Sequence, residues 1–232
     1  MKNKLFLIPK LLLLTLGTIC ISACIKNDNF IKGDAKIRIF QTSALDTTQN
    51  FFLSGRQLGS ATTYGTNSSY IVIAGDSSYK VSSRNITSSD DLTSLDNQRF
   101  GIGKNYSVFF TRKTITSPPN LIMYEDDVKI DTATAKVVFL NLGYTLQSPV
   151  IVTDTAASFN KFSMSYGDRV EKKIKVSRLT KISFVLTTPT TTNPQPVVTV
   201  LDSTTIIKGR VYTVLIDGSK TGDLQKRLVT SN

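Results

Sequence analysis

Residues able to do chemistry are few in this chain, and they are scattered. Among 232 residues there is no His and no Trp, and the only two Cys are Cys20 and Cys24. Without imidazole, no Ser-His-Asp relay and no HExxH zinc site can form. Two Cys cannot build a Cys₄ zinc site or a disulfide framework. Ser77, in Gly75-Asp76-Ser77-Ser78, has no His to take its proton, so the segment reads as a turn. Asp154-Thr155-Ala156 and Asp202-Ser203-Thr204 offer two carboxylates that could share a proton and cut a peptide bond without His. Neither is followed by the Gly that lets two such loops cross tightly. Glu125, Asp126, Asp127 and Asp131 could supply oxygen ligands to Ca²⁺. No Asp-x-Asp-x-Asp-Gly loop accompanies them, and a solvated junction is the simpler reading. Residues 169–181 (RVEKKIKVSRLTK) hold six basic residues and one acid, either a patch for an anionic polymer or the wet face of a strand. No aromatics interleave with these charges, which argues against nucleic acid. No catalytic residue, metal or cofactor is expected.

The one thiol with a chemical context is Cys24. A basic start (MKNK) and Lys10 precede an 11-residue apolar run, Leu11 to Ile21. A spanning helix needs about 20 such residues, so this run reads as a secretory signal peptide. Ile21-Ser22-Ala23-Cys24 resembles a bacterial lipobox: an aliphatic residue, two small ones, then Cys. That resemblance implies cleavage between Ala23 and Cys24, a diacylglycerol thioether on Cys24, and an acyl chain such as palmitate on the new amino group. Two or more chains give stable anchoring, at about 0.8 kcal/mol per buried CH₂. Lys26-Asn27-Asp28 partly resembles a surface-export signal of Bacteroidota lipoproteins. No Asp follows Cys24 directly. The expected location is the outer membrane, on its periplasmic or cell-surface face.

Beyond the tether the chain repeats itself. Ala35-Lys36-Ile37-Arg38-Ile39-Phe40 recurs as Ala135-Lys136-Val137-Val138-Phe139-Leu140, and Thr63-Tyr64-Gly65 as Ser165-Tyr166-Gly167. Residues 103–110 (GKNYSVFF) recur as 209–216 (GRVYTVLI). The order is kept and the offset grows from 100 through 102 to 106, as loop insertions require. Within the units, Ile174, Val176, Ile182 and Phe184 alternate with Lys173, Lys175, Lys181 and Ser183, a period suited to strands with one wet face. Residues 197–201 (VVTVL) form a further strand candidate after the loop 188–196 (TPTTTNPQP). No helical period is present in the mature chain. Many short strands with frequent turns predict an all-β protein of two tandem immunoglobulin-like β-sandwiches. The expected division is a signal peptide over 1–23, a tether over 24–34, and sandwiches over 35–128 and 129–232. Tyr106 and Tyr212 are expected to form tyrosine corners, each hydroxyl bonding nearby backbone.

The ordered blocks AKIRIF, TYG and GKNYSVFF, then AKVVFL, SYG and GRVYTVLI, resemble the bacterial family called domain of unknown function 4397. So does the acidic junction 121–127 (LIMYEDD). The likeness covers about residues 35–232 and departs at Val138, where the family often has Arg. It implies an immunoglobulin-like sandwich and often a lipid anchor, and no known activity.

Formal net charge is +11 over the whole chain. Removing residues 1–23 takes three Lys and no acid, leaving 25 basic against 17 acidic residues, and residues 129–232 hold 14 and 7 of these. The excess is thus local to the second sandwich. The expected protein is a non-enzymatic binding, adhesion or scaffolding module. Its partners would be a membrane, through the lipid, and an envelope protein or polysaccharide, but not nucleic acid. The alternatives are a glycan-binding accessory of a carbohydrate-uptake system and a fimbrial subunit completed by a donated strand. The missing Trp argues against the glycan reading. If the Lys-Asn-Asp signal acts, protease added to intact cells degrades the protein; an untouched protein rules surface exposure out.

Overall fold

A computed structural model describes residues 33–186 and 197–231. No helix occurs among them, and sixteen strands do. The first eight are β1 (Asp34–Gln41), β2 (Gln49–Leu53), β3 (Arg56–Gln57), β4 (Ile71–Ala74), β5 (Ser77–Asn85), β6 (Thr93–Phe100), β7 (Asn105–Arg112) and β8 (Pro119–Asp126). The second eight are β9 (Ala135–Asn141), β10 (Val150–Asp154), β11 (Phe162–Met164), β12 (Arg169–Ile174), β13 (Lys181–Leu186), β14 (Val197–Asp202), β15 (Val211–Asp217) and β16 (Gln225–Thr230).

The two halves share one topology. In the first, the sheets run β4-β1-β7-β8 and β3-β2-β5-β6; in the second, β12-β9-β15-β16 and β11-β10-β13-β14. Each strand of the second half takes the place of the one eight earlier. Even the parallel pairing recurs, with Lys36 opposite Asn105 in β1–β7 and Lys136 opposite Val211 in β9–β15. The sequence offsets of 100 and 106 are therefore also the spatial ones. The fold is all-β, two tandem sandwiches.

Each sandwich closes over its own core. Ala35, Ile37 and Ile39 of β1 and Tyr106, Val108 and Phe110 of β7 face Phe51, Val81 and Phe100 of the opposite sheet. In the second half, Val137 and Phe139 meet Val152, Ile182, Phe184 and Val214. The period of two puts these residues on one face. The alternation at Ile174 and at Ile182 and Phe184 is also present, but β12 and β13 lie in different sheets, and partly buried Val176 follows β12 in the connecting turn. Gly75 turns the chain between β4 and β5. A Cβ there would stand 2.6 Å from the Gly33 carbonyl oxygen, so only glycine fits. The loop expected at 188–196 lies outside the described residues.

A third core lies between the sandwiches. β7 carries seven buried residues in succession and β15 is buried throughout, so neither of these central strands has a wet face. The residues of β1, β7, β9 and β15 that point away from their own cores bring Phe40, Phe109, Leu140 and Leu215 together, with Leu142 beside them. Ile122, Tyr124, Tyr166 and Val229 flank them. Phe40 stacks on Phe109 with centroids 4.6 Å apart. The described residues accordingly form one compact unit of four stacked sheets. Sequence pattern predicts two sandwiches in tandem; the structure adds that they share this buried seam. Phe109→Ala should cost about 3–5 kcal/mol of unfolding free energy, as for a core Phe. A loss below about 1 kcal/mol in urea titration would show the seam to be loosely packed.

Candidate functional site at the seam

At one end of the seam the polar residues converge on Arg38. β1 carries its side chain away from the first core, so it enters the seam and is 3% exposed. One guanidinium nitrogen, Nη1, donates to the Thr230 carbonyl at 3.0 Å. The other, Nη2, donates to Ser107 Oγ and Ser231 Oγ, each at 3.2 Å. Its plane lies over the rings of Tyr70 and Phe40, at 4.5 and 4.8 Å from their centroids. Arg38 therefore ties the first sandwich to the end of β16.

Asp126, at the end of β8, balances this charge. It stands 3.9 Å from Arg38 Nη2 and accepts from Ser107 Oγ at 2.6 Å and Tyr70 Oη at 2.7 Å. Burial lifts its carboxyl above the ordinary value, against the lowering effect of those hydrogen bonds and of Arg38. Burial also lowers the Arg38 guanidinium and raises the Tyr70 hydroxyl. Beside the network opens a cleft of about 470 Å³, bordered by Lys36, Ser69, Asn105, Val128 and Val229 as well as Arg38. Its walls offer hydroxyls, amides and cationic side chains, which suit a hydroxylated or anionic group. Nothing in this lining pairs a nucleophile with a base.

Further polar contacts across the seam involve tyrosines. Arg227 of β16 lies over Tyr64 at 5.9 Å and pairs with Asp217, which is buried and raised by that burial. Tyr166, the counterpart of Tyr64, packs from the second sandwich into the cluster that holds Ile122 and Tyr124 of β8. Each sandwich thus sets its motif tyrosine against the last strand of the other. Tyr144 Oη, beyond β9, lies 2.9 Å from Ser43 Oγ beyond β1.

The residues singled out from sequence are placed as follows. Tyr106 is buried and its hydroxyl accepts the Gly101 N–H at 2.9 Å; Tyr212 accepts that of Ile207 at 3.1 Å. Each bond closes the turn ahead of the strand. Ile21, Ser22, Ala23 and Cys24 lie outside the described residues. The acidic junction is drawn apart: Glu125 pairs with Lys104, Asp126 faces Arg38, Asp127 pairs with Lys136, and Asp131 with Lys173. Asp154 and Asp202 accept backbone N–H bonds in their own turns, with β13 between their strands. In the basic stretch, Arg169 lies over Tyr124, Lys172 over Phe162, and Lys173 pairs with Asp131. Sequence reasoning did not single out Arg38, Tyr70, Asp217 or Arg227 as site residues. The available signal was a charge at a core-strand position, Arg38, whose repeat partner is Val138.

No family model and no curated protein matches the chain. Two solved structures are similar to it in part. One is a family-26 carbohydrate-binding module of Eubacterium rectale Amy13K in complex with maltoheptaose, at 10% identity over 86% of this chain and 97% of that one, TM-score 0.26. The other is a C-terminal fragment of the pilus adhesin SpaC of Lactobacillus rhamnosus GG, at 14% identity over the same shares, TM-score 0.18. Superpositions this loose carry no argument about function.

Two outcomes follow from the Arg38 network. In the second copy, Val138 and Ser231 stand where the first has Arg38 and Asp126. Arg38→Val should therefore cost about 3 kcal/mol by leaving Asp126 buried and uncompensated, and adding Asp126→Ser should recover part of it. Equal losses in the single and double variants would contradict the coupling. Asp126 has a folded value raised above 3.8. Its contribution is full below that pH and is lost as pH rises through the folded value. Relative to Asp126→Asn, wild type should thus lose stability as pH climbs past 3.8. A constant difference across the acid range would contradict it.

Proposed function

We propose that the chain is a lipid-anchored envelope protein of the outer membrane, and that its double sandwich is a binding or scaffolding module without catalytic activity. The observation that carries this is Ile21-Ser22-Ala23-Cys24 followed, nine residues after Cys24, by Gly33 at the start of the folded unit. Nine residues reach at most about 32 Å, so the acylated Cys holds the sandwiches close to the bilayer. The resemblance of the repeated blocks to the 4397 family points the same way. The non-catalytic reading rests on where the polar groups are spent. Arg38 and Arg227 reach across to the other sandwich, Asp126 and Asp217 balance them from within their own halves, and the other candidate carboxylates cap turns or pair with single lysines.

The test is expression of the full chain in a bacterial host beside Cys24→Ser. Wild type should fractionate with membranes and give an N-terminal peptide beginning at acylated Cys24. The variant should carry no acyl mass and leave the membrane fraction. A wild-type chain with an unmodified Cys24 would overturn the anchor. Turnover in a hydrolase screen that disappears in Asp154→Asn would overturn the non-catalytic reading.

A further inference from the structure

Strand directions fix which loops share an end of the molecule. Arg38, in the middle of β1, reaches Thr230, which pairs with Tyr212 at the start of β15. Ser43, beyond the end of β1, reaches Tyr144 beyond the end of β9. The two copies therefore point the same way, and their starting ends lie together. Gly33, through which the chain enters the fold, is at that end: its carbonyl oxygen accepts the Gly75 N–H at 2.5 Å.

Four of the connections at that end carry exposed aliphatic side chains. The β6–β7 turn carries Ile102, the β8–β9 linker Ile130, the β12–β13 turn Leu179, and the β14–β15 turn Ile207. All four side chains are more than half exposed, Leu179 at 73%. Around them stand exposed Lys129, Lys175, Arg178, Lys181 and Lys208. Several acids of the same end are occupied. Asp127 pairs with Lys136, Asp131 with Lys173, and Asp154 and Asp202 accept N–H groups of their turns. Apolar tips alone do not single out this end, since Leu45 and Ile115 project from the other. It is set apart by the arrival of the tether and by these cationic side chains.

We propose that this end docks on the surface of an anionic phospholipid bilayer, Leu179 and Ile207 entering the headgroup boundary while the surrounding Lys and Arg engage phosphates. This deepens the lipid-anchor reading and rests on it for orientation: a tether of at most about 32 Å brings this end, and not the other, to the membrane. Exposed aliphatic tips ringed by basic residues are the chemistry an interfacial surface rewards. The half of the basic stretch that lies in β12 is spent on protein contacts; the half in the turn, residues 175–181, is turned toward lipid.

The chain has no Trp, so a single introduced Trp reports its surroundings without background. Full-length lipidated protein carrying Leu179→Trp, Ile207→Trp or Leu45→Trp is placed in vesicles of phosphatidylethanolamine and phosphatidylglycerol. Docking requires that emission from positions 179 and 207 shift to the blue and be quenched by lipid-borne quenchers, while position 45 stays as in water. Adding Lys175→Glu, Arg178→Glu and Lys181→Glu to the Leu179→Trp chain should weaken the response about tenfold, and high salt should reduce it. An acylated chain whose 179 and 207 reporters match that at 45 overturns docking and leaves the anchor standing. A Cys24→Ser chain whose 179 reporter still responds to anionic vesicles, in a salt-dependent way, supports docking even if wild type proves not to be acylated.

Discussion

Everything in this fold follows from burying both faces of the two central sheets. A sandwich needs one dry face per sheet, and the inward set of β1, β7, β9 and β15 supplies it. The outward set would ordinarily meet water and be polar. Here Phe40, Phe109, Leu140 and Leu215 occupy it, so the sheets must cover each other. That constraint decides what happens to each polar group in the same layer. Arg38 is almost wholly buried and must find acceptors, and Thr230, Ser107, Ser231 and Asp126 surround it.

Duplication explains why such a seam can form at all. Two copies of one topology present related outward faces to each other, as the subunits of a symmetric dimer would. Tyr64 against β16 and Tyr166 against β8 keep that reciprocity. The charges depart from it: Val138 and Ser231 stand in the second copy where the first has Arg38 and Asp126. Taking ions out of water can cost more than their mutual attraction returns, and each of the two buried pairs, Arg38–Asp126 and Arg227–Asp217, is present in one copy only, which limits that desolvation cost.

Much of this was legible in the sequence. The first and third repeated blocks carry the offsets that the strand pairings carry. Tyr106 and Tyr212 could be placed at the starts of their strands because Gly and a basic residue precede both. The turn at Gly75 was readable from composition. The seam was not drawn from the sequence, although its signal was there. Runs such as AKVVFL and VYTVLI are apolar at nearly every position, the mark of a strand buried on both faces rather than one. What no pattern on a single strand can give is which surface covers it. Arg38, Tyr70 and Asp126 come from three distant segments and only topology joins them. The acidic junction misleads for a related reason: adjacent carboxylates on an extended chain point to opposite sides, so Glu125 and Asp126 find different partners.

The central claim is that the two sandwiches behave as one body because they share a core. Equilibrium unfolding in urea tests it, followed through two reporters: one introduced Trp at exposed Leu92 in the first sandwich and one at exposed Val198 in the second. A shared seam predicts coincident transitions with one midpoint, both moved to lower urea by Phe109→Ala. Two separate transitions, with only the first sandwich responding to that substitution, would contradict it.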